Sequence, residues 1–345
     1  MNKYLSLINN LKVPKTKNGL NYISLFSGGG GLDLGFSLGG FKGLYSSDIV
    51  EHYCNTIRHN FPSHIVERHD LNDLSGEHVR SLVKTPIDMI IGGPPCQSFS
   101  ILGNRKSTED PRGRLVFEYA RFIKEVSPRG FLFENVPGIL TVNGGDDWNE
   151  LLSYFKEVTG YHLSWKKLNA LNFGAPQSRE RVILFGFKDE EFTNWPDPIY
   201  LLESKNGKSV HTAGMALENV ENLPNHVKRI HSERVATRYS QVPQGARCRT
   251  DHTDRIDMSK PSGTVLVGSS GGGGRPFIHP IEHRHITVRE AARLQSFPDW
   301  FEFQGPGTAQ YRQVGNAVAP LFAKALSKSV YEHLSKVKTT DVNTL

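Results

Sequence analysis

The chain has 345 residues, 37% of them hydrophobic and 22% charged, with a formal net charge of +6. That is a soluble globular composition with room for one large domain or two modest ones. No apolar run approaches the roughly 18 residues of a membrane span, the start "MNKYLSLINNLKVPK" lacks a secretory signal, and three cysteines at unrelated spacings (Cys54, Cys96, Cys248) fit neither a disulfide framework nor a CxxC metal centre, so a reducing cytoplasm and no metal are expected.

The first 20 residues carry no readable signal. From there strand and helix patterns alternate. "NYISLF" (21–26) is a β-rich run that ends in "SGGGG", and "GLYSSD" (43–48) stops at an acid. "IDMIIGG" (87–93), "GFLFENV" (130–136) and "RVILFGF" (181–187) are further apolar runs, several unbroken, as parallel strands buried on both faces should be. Helical stretches lie between them, including "VFEYARFIKEV" (116–126) and "WNELLSYFKEV" (148–158). This alternation predicts an α/β doubly wound sheet.

After about residue 188 the pattern gives way to a Pro-, Gly-, His- and Arg-rich stretch without a long periodic segment. A second, smaller, loop-rich domain is expected at 189–309, with 1–188 and 310–345 forming the larger one. "TVREAARLQSF" (287–297) is a helix with Thr287 as N-cap and Glu290 three residues on, a capping box. "PLFAKALSKSVYEHLSKV" (320–337) is the last helix and should pack back on the sheet. Between His226 and Arg293 stand twelve Lys/Arg against six Asp/Glu, a surplus equal to the whole chain's net charge. Such a stretch suits phosphate neutralisation and base-edge hydrogen bonding; a merely solvated basic face has the same composition.

Two segments at strand ends carry candidate chemistry. "FSGGGGLDLGF" (26–36) sets a glycine loop between strand and helix, where backbone N–H groups can approach a ligand closely. Asp48 closes the next strand, placed to accept hydrogen bonds from ribose hydroxyls. Asp70 in "RHDLNDL" ends a further strand and could accept from an adenine amino group. A nicotinamide dinucleotide site would show GxGxxG, but the third position falls on Asp33 counting from Gly28 and on Leu34 counting from Gly29. S-adenosylmethionine needs only room for its methionine moiety and a ribose clamp. A purely structural glycine turn is the remaining reading.

"IIGGPPCQSFS" (90–100) presents Cys96 after two prolines that fix φ. About 18 polar residues follow, "QSFSILGNRKSTEDPRGR", suited to a mobile flap. An isolated cysteine is more often an inert core residue. Its company is different: "FLFENVPGIL" places Glu134 at a strand end, where a desolvated carboxyl can donate a proton near neutrality. "APQSRERVILFG" adds Arg179 and Arg181, on one face by two-residue alternation. No histidine is placed by sequence as a base for Cys96, which weighs against a cysteine protease.

In order, "FSGGGGLDLGF", "GGPPCQSFS", "ENV", "QSRER", "RHITVREAARLQSFPD" and "QVGNAVAP" resemble the motifs of the C5-cytosine DNA methyltransferases, across nearly the whole chain. The resemblance implies a Rossmann-like S-adenosylmethionine-dependent methyltransferase sheet with a small target-recognition domain. It implies S-adenosylmethionine as cofactor, S-adenosylhomocysteine as product, and double-stranded DNA as partner. Cys96 would add to cytosine C6, Glu134 would act at N3, and Arg181, with Arg179, would contact O2. The target base must be flipped out of the duplex. Phe26, Gly28, Gly30, Asp48, Ile49, Asp70, Leu71, Pro94, Leu115, Asn316 and Val318 would line the cofactor pocket. Position 48 is more often Glu in the family, and the shorter Asp shifts the ribose contact.

Ser98, Arg112, Arg238, Gln244, Arg247, Arg249 and Arg275 are the candidate DNA contacts. Arg247 and Arg249 could read guanine bidentately or touch phosphate alone. A bacterial modification enzyme, monomeric and associated with the nucleoid, is implied, with a cognate restriction endonuclease encoded nearby. The same chemistry on RNA and a non-enzymatic DNA-binding relative are the alternatives. Intact Cys96, Glu134 and Arg181 argue against the latter.

Overall fold

The computed structural model describes residues 2–95, 111–202, 208–266 and 277–342, with the backbone alone at 111–113, 208 and 337–342. Seven strands form one sheet: β1 Asn21–Leu25, β2 Lys42–Asp48, β3 Ile65–Arg68, β4 Met89–Gly92, β5 Gly130–Asn135, β6 His162–Asn169 and β7 Glu180–Phe187. Their order is β3-β2-β1-β4-β5-β7-β6. The first five run parallel, and β7 is antiparallel to both β5 and β6. The expected doubly wound sheet is therefore present. The reading of "RVILFGF" as one more parallel strand is corrected, since an all-apolar run reports burial on both faces and not direction. Strands β4 and β5 are buried at every position. Edge strands β3 and β6 are only partly covered, which is why "IVER" and "HLSWKKLN" carry no continuous apolar signal.

Helices Pro111–Val126 and Asp146–Thr159 cover one face through Val116, Tyr119, Ile123, Leu151 and Phe155. Gly31–Leu38 and Pro320–Val342 cover the other through Phe36, Phe322, Leu326 and Val330. The first of these four starts at Pro111, not at the expected 116. Proline suits the first helical turn because its missing N–H would have had no partner there. The segment after Cys96 is correspondingly shorter than the 18 residues expected. Among the described residues no helix is long and apolar enough to cross a membrane.

A further apolar cluster unites Tyr4, Leu5 and Ile8 with Ala213, Leu217, Ala291, Leu294, Phe297 and Phe301. Helix Lys3–Asn9, invisible to sequence reading, is thus a buried brace, and Tyr4 donates its hydroxyl hydrogen to the carbonyl of Arg293. Helix Val288–Leu294 has the expected capping box, with Thr287 and Glu290 bonded reciprocally, and every one of its residues is buried. From 189 to 286 the described helices are short, the longest being Glu233–Ser240. Tyr239, Cys248 and Ile278 make a small core of their own there.

Candidate active site

In a parallel sheet, ligands gather where the strand order reverses. Here that point lies between β1 and β4, and the glycine loop and the Pro–Pro turn stand on either side of it. The loop turns through the left-handed region at Phe26, Gly28 and Gly30. It is also pressed against the segment "QVGNAV". A side chain at Gly29 would meet the Gln313 carbonyl oxygen at 2.6 Å, and one at Gly31 the Val318 carbonyl oxygen at 2.0 Å. Two segments nearly 300 residues apart in sequence therefore form one wall. Val318 is buried and Asn316 exposed on that wall.

Asp48, at the end of β2, accepts from the backbone N–H of Gly28 at 2.9 Å and of Val50 at 3.0 Å. Both carboxylate oxygens are held, each with a lone pair left over. Burial pushes this carboxyl upward, and the backbone donors pull it back. Ile49 beside it is 54% exposed, an apolar platform next to an acid. Asp70 follows β3 and is turned on itself, accepting from the N–H of Asn72 at 3.0 Å and its side-chain amide at 2.7 Å. Leu71 is buried, and half-buried Leu115 and Phe26 pack against the same cluster.

The polar centre lies across the crevice. Glu134 ends β5, and its Oε1 receives the Nε hydrogen of Arg181 at 2.7 Å. Burial raises the Glu134 carboxyl above its ordinary range, against the opposing pull of Arg181 and then Arg179. A side chain at Gly93 would lie 2.7 Å from the other Glu134 oxygen, so the carboxyl sits directly over the start of the Pro–Pro turn. Asn135 donates to the Pro94 carbonyl at 3.1 Å, tying "ENV" to "PPC". Sequence reading had not singled out Asn135, although it stands inside the quoted motif.

Arg179 is fully buried, close enough to Glu134 for their charges to interact, but its hydrogen bonds go to the backbone. It donates to the carbonyls of Gly315 at 2.6 Å and Val265 at 3.3 Å. Burial lowers its affinity for the proton, and the neighbouring Arg181 charge adds to this. Arg179 thus ties the sheet to the "QVGNAV" segment and to the loop at Val265, while the ion pair with Glu134 is made by Arg181. Another residue that sequence reading passed over is Asp33, buried in the first turn of Gly31–Leu38. It accepts from the Ser24 hydroxyl at 2.9 Å and the Ser46 hydroxyl at 2.8 Å. An acid inside the otherwise apolar "GLDLGF" was the available signal.

Cys96, Ser98 and Arg275 lie outside the described residues, as does the side chain of Arg112. The chain is followed to Pro95, one residue short of the sulfur. In the basic stretch Arg238 pairs with Asp251 at 2.9 Å. Arg247 is clamped by Asp254 through two bonds of 2.7 and 2.9 Å. Gln244 accepts from the N–H of Met258 at 3.2 Å. Arg249 is exposed, without a hydrogen-bond partner among the described residues. A concave surface nearby is lined by Arg247, His252, Thr253, Asp254, Thr264 and Phe277.

A mixed sheet, parallel over its first five strands, with a glycine loop at its switch point and an acid–arginine pair across the crevice, is the framework of a group-transfer enzyme. The chain belongs to the C-5 cytosine-specific DNA methylase family, matched over residues 20–332, and is an enzyme of that class. It is similar to the Type II methyltransferase M1.HphI of Haemophilus parahaemolyticus, 38% identical over 328 residues that cover 90% of this chain and 86% of that protein. The Type II methyltransferase M.NgoFVII of Neisseria gonorrhoeae is 35% identical, over 89% of this chain and 85% of its own. Among solved structures, an E. coli prophage-encoded protein described as a DNA modification methyltransferase superposes with a TM-score of 0.78 at 28% identity, covering 92% of this chain and all of that one.

Proposed function

We propose that the chain methylates C5 of one cytosine within a short double-stranded DNA sequence, as the modification enzyme of a Type II restriction–modification system. The observation that carries the reading is the Glu134–Arg181 pair at the end of β5, hydrogen-bonded through Asn135 to the turn that leads into Cys96.

Cytosine C5 is a weak nucleophile. Addition of the Cys96 thiolate to C6 moves electron density toward C5 and N3. Glu134, whose carboxyl burial raises above its ordinary range against the pull of Arg181, donates to N3 as that density arrives. Arg181 holds the developing charge at O2 in a site from which water is excluded, with Arg179 fixing the strand behind it. Once C5 has taken a methyl carbon, loss of its proton to solvent and return of the N3 proton to Glu134 expel the Cys96 thiolate and restore the aromatic ring. The ring is reached only after leaving the duplex stack, at a cost of about a few kcal/mol.

The wall opposite fits S-adenosylmethionine. Asp48, fixed by two backbone donors, can accept from ribose hydroxyls, and the exposed Ile49 can cover an adenine face. Gly28 leaves the loop surface open, with nothing among the described residues closer than 3.8 Å to an added Cβ, whereas one at Gly30 would press on Ile57 and Phe301 behind the loop. When bound, that group supplies an electrophilic methyl on sulfur.

Residues 189–309 supply target recognition in this reading, with Arg249 and Arg275 on phosphate or base edges. A monomer suffices, and sequencing of the flanking genes tests for a partner endonuclease. The decisive experiment is bisulfite sequencing of DNA from cells that express the chain. A single short motif protected at cytosine is expected, and protection lost with Cys96→Ser. Unprotected DNA with a folded, DNA-binding protein would overturn the reading.

A further inference from the structure

At the far edge of the sheet, remote from the glutamate–arginine pair, Glu67, His69 and His78 converge. Each offers one ligand atom, and the three atoms lie within 4.8 Å of one another. The Glu67 Oε2 atom is 2.8 Å from His78 Nε2 and 3.5 Å from His69 Nε2. We propose that Glu67, His69 and His78 form a binding site for a divalent transition-metal ion, Zn2+ foremost.

The three residues come from two pieces of backbone, the end of β3 and the helix that follows it, each fixed by its own hydrogen bonds. Glu67 is in β3, paired in register with Ser47 of β2. His69 follows the strand, its N–H donating to the Asp48 carbonyl at 3.2 Å. His78 is in the first turn of helix Gly76–Val83, whose N-cap Ser75 accepts from the His78 N–H at 3.1 Å. The imidazoles meet edge to face with centroids 5.6 Å apart. Tyr45 donates its hydroxyl to Glu67 Oε2 at 3.1 Å, the kind of outer contact that orients a ligating carboxylate.

Zn–N and Zn–O bonds of about 2.0–2.2 Å place tetrahedral ligand atoms roughly 3.3–3.5 Å apart. The His69–Glu67 separation already matches, the His78–Glu67 contact has to open by a fraction of an ångström, and the two imidazole nitrogens, within 4.8 Å of each other, have to close by side-chain rotation. Two imidazoles and one carboxylate form a donor set suited to Zn2+, with water left for the fourth position. The sequence hides the set because its spacing, 67, 69 and 78, matches no common motif. Binding would pin the edge strand to the helix beside it and fix the backbone that leads into Asp70.

The test is calorimetric titration of the apo full-length protein with Zn2+, alongside Glu67→Gln, His69→Gln and His78→Gln. One saturable site per chain is expected, weakened at least about tenfold in each variant. The wild-type melting temperature should rise with Zn2+, and that of the double variant His69→Gln/His78→Gln should not. Co2+ provides a second readout through visible bands that vanish in the double variant. All three side chains reach solvent, so the variants should fold, and circular dichroism checks this. Zn2+ uptake that is absent, or unchanged in the double variant, overturns the site.

Discussion

Arg181 reaches Glu134 diagonally across the antiparallel β5–β7 ladder. Glu134 pairs with Ile183, and Arg181 stands two residues earlier, on the same face. The strand direction is what makes the contact possible. Had β7 run parallel to β5, its first residues would lie at the opposite edge of the sheet from the end of β5. Reversal of this one strand brings "QSRER" and "ENV" together.

From that pair follows a pH signature. Burial raises the Glu134 carboxyl, so its protonated form persists to higher pH than in an ordinary glutamate. Single-turnover methylation should decline as pH rises through that raised value. Glu134→Gln should cut the rate roughly 10²- to 10⁴-fold and flatten the decline. Arg181→Lys keeps the charge but loses the planar donor, and should cost about 10²-fold. A Glu134→Gln enzyme with the wild-type profile would remove the carboxyl from the chemistry.

The wall between the glycine loop and "QVGNAV" is tight enough to be tested by one methyl group. Gly31→Ala drives its side chain against the Val318 carbonyl and should destabilise the fold by about 1–3 kcal/mol in urea unfolding. Gly138→Ala is the control, because nothing lies within 4 Å of its added atom. It should change stability by less than about 0.5 kcal/mol. Equal effects would mean that the wall yields freely.

How much of this was legible in sequence depended on burial. Strands β1, β2, β4, β5 and β7 were visible because each carries a run of buried, mostly apolar positions, and the Thr287 capping box because its chemistry is local. Edge strand β6 escaped and β3 was inferred only from the acid that follows it, since "IVER" and "HLSWKKLN" mix polar and apolar residues where one side is open. Glu134 and Arg181 could be named as a site from their strand-end positions, yet not as an ion pair, because strand direction leaves no local trace. The Arg179 tie to Gly315 and Val265 depends on contacts 136 and 86 residues away. The cluster of Glu67, His69 and His78 appears only once β3 and the following helix are in place.

DNA affinity should fall steeply with salt, and two neighbouring arginines should differ. Arg247 is already neutralised by its two bonds to Asp254, whereas Arg249 stands free among the described residues. Arg249→Ala should weaken binding and reduce the slope of log K against log salt by about 1. Arg247→Ala should change both less, and Asp254→Ala should tighten non-specific binding. Fluorescence anisotropy at several salt concentrations measures all three. A flat salt response would contradict a basic recognition region.

Asp33 supplies a stability prediction of defined sign. Burial raises its carboxyl to about 6, opposed by the hydroxyls of Ser46 and Ser24. The folded state therefore holds a proton that the unfolded chain, with an ordinary aspartate near 4, has released. A raised carboxyl contributes stability that is present below the unfolded value and lost as pH rises through the folded one. From pH 4 to pH 7 the wild-type protein should lose about 2–2.5 kcal/mol through this residue, because the unfolded aspartate is itself partly protonated at pH 4. Asp33→Asn cannot titrate, and its amide oxygen can still accept from one of the two serines. The stability of wild type minus that of Asp33→Asn should thus fall by about 2–2.5 kcal/mol over that interval in paired urea titrations. A difference that stays constant with pH would mean that the buried carboxylate is already ionised at pH 4, held by its two hydroxyl donors.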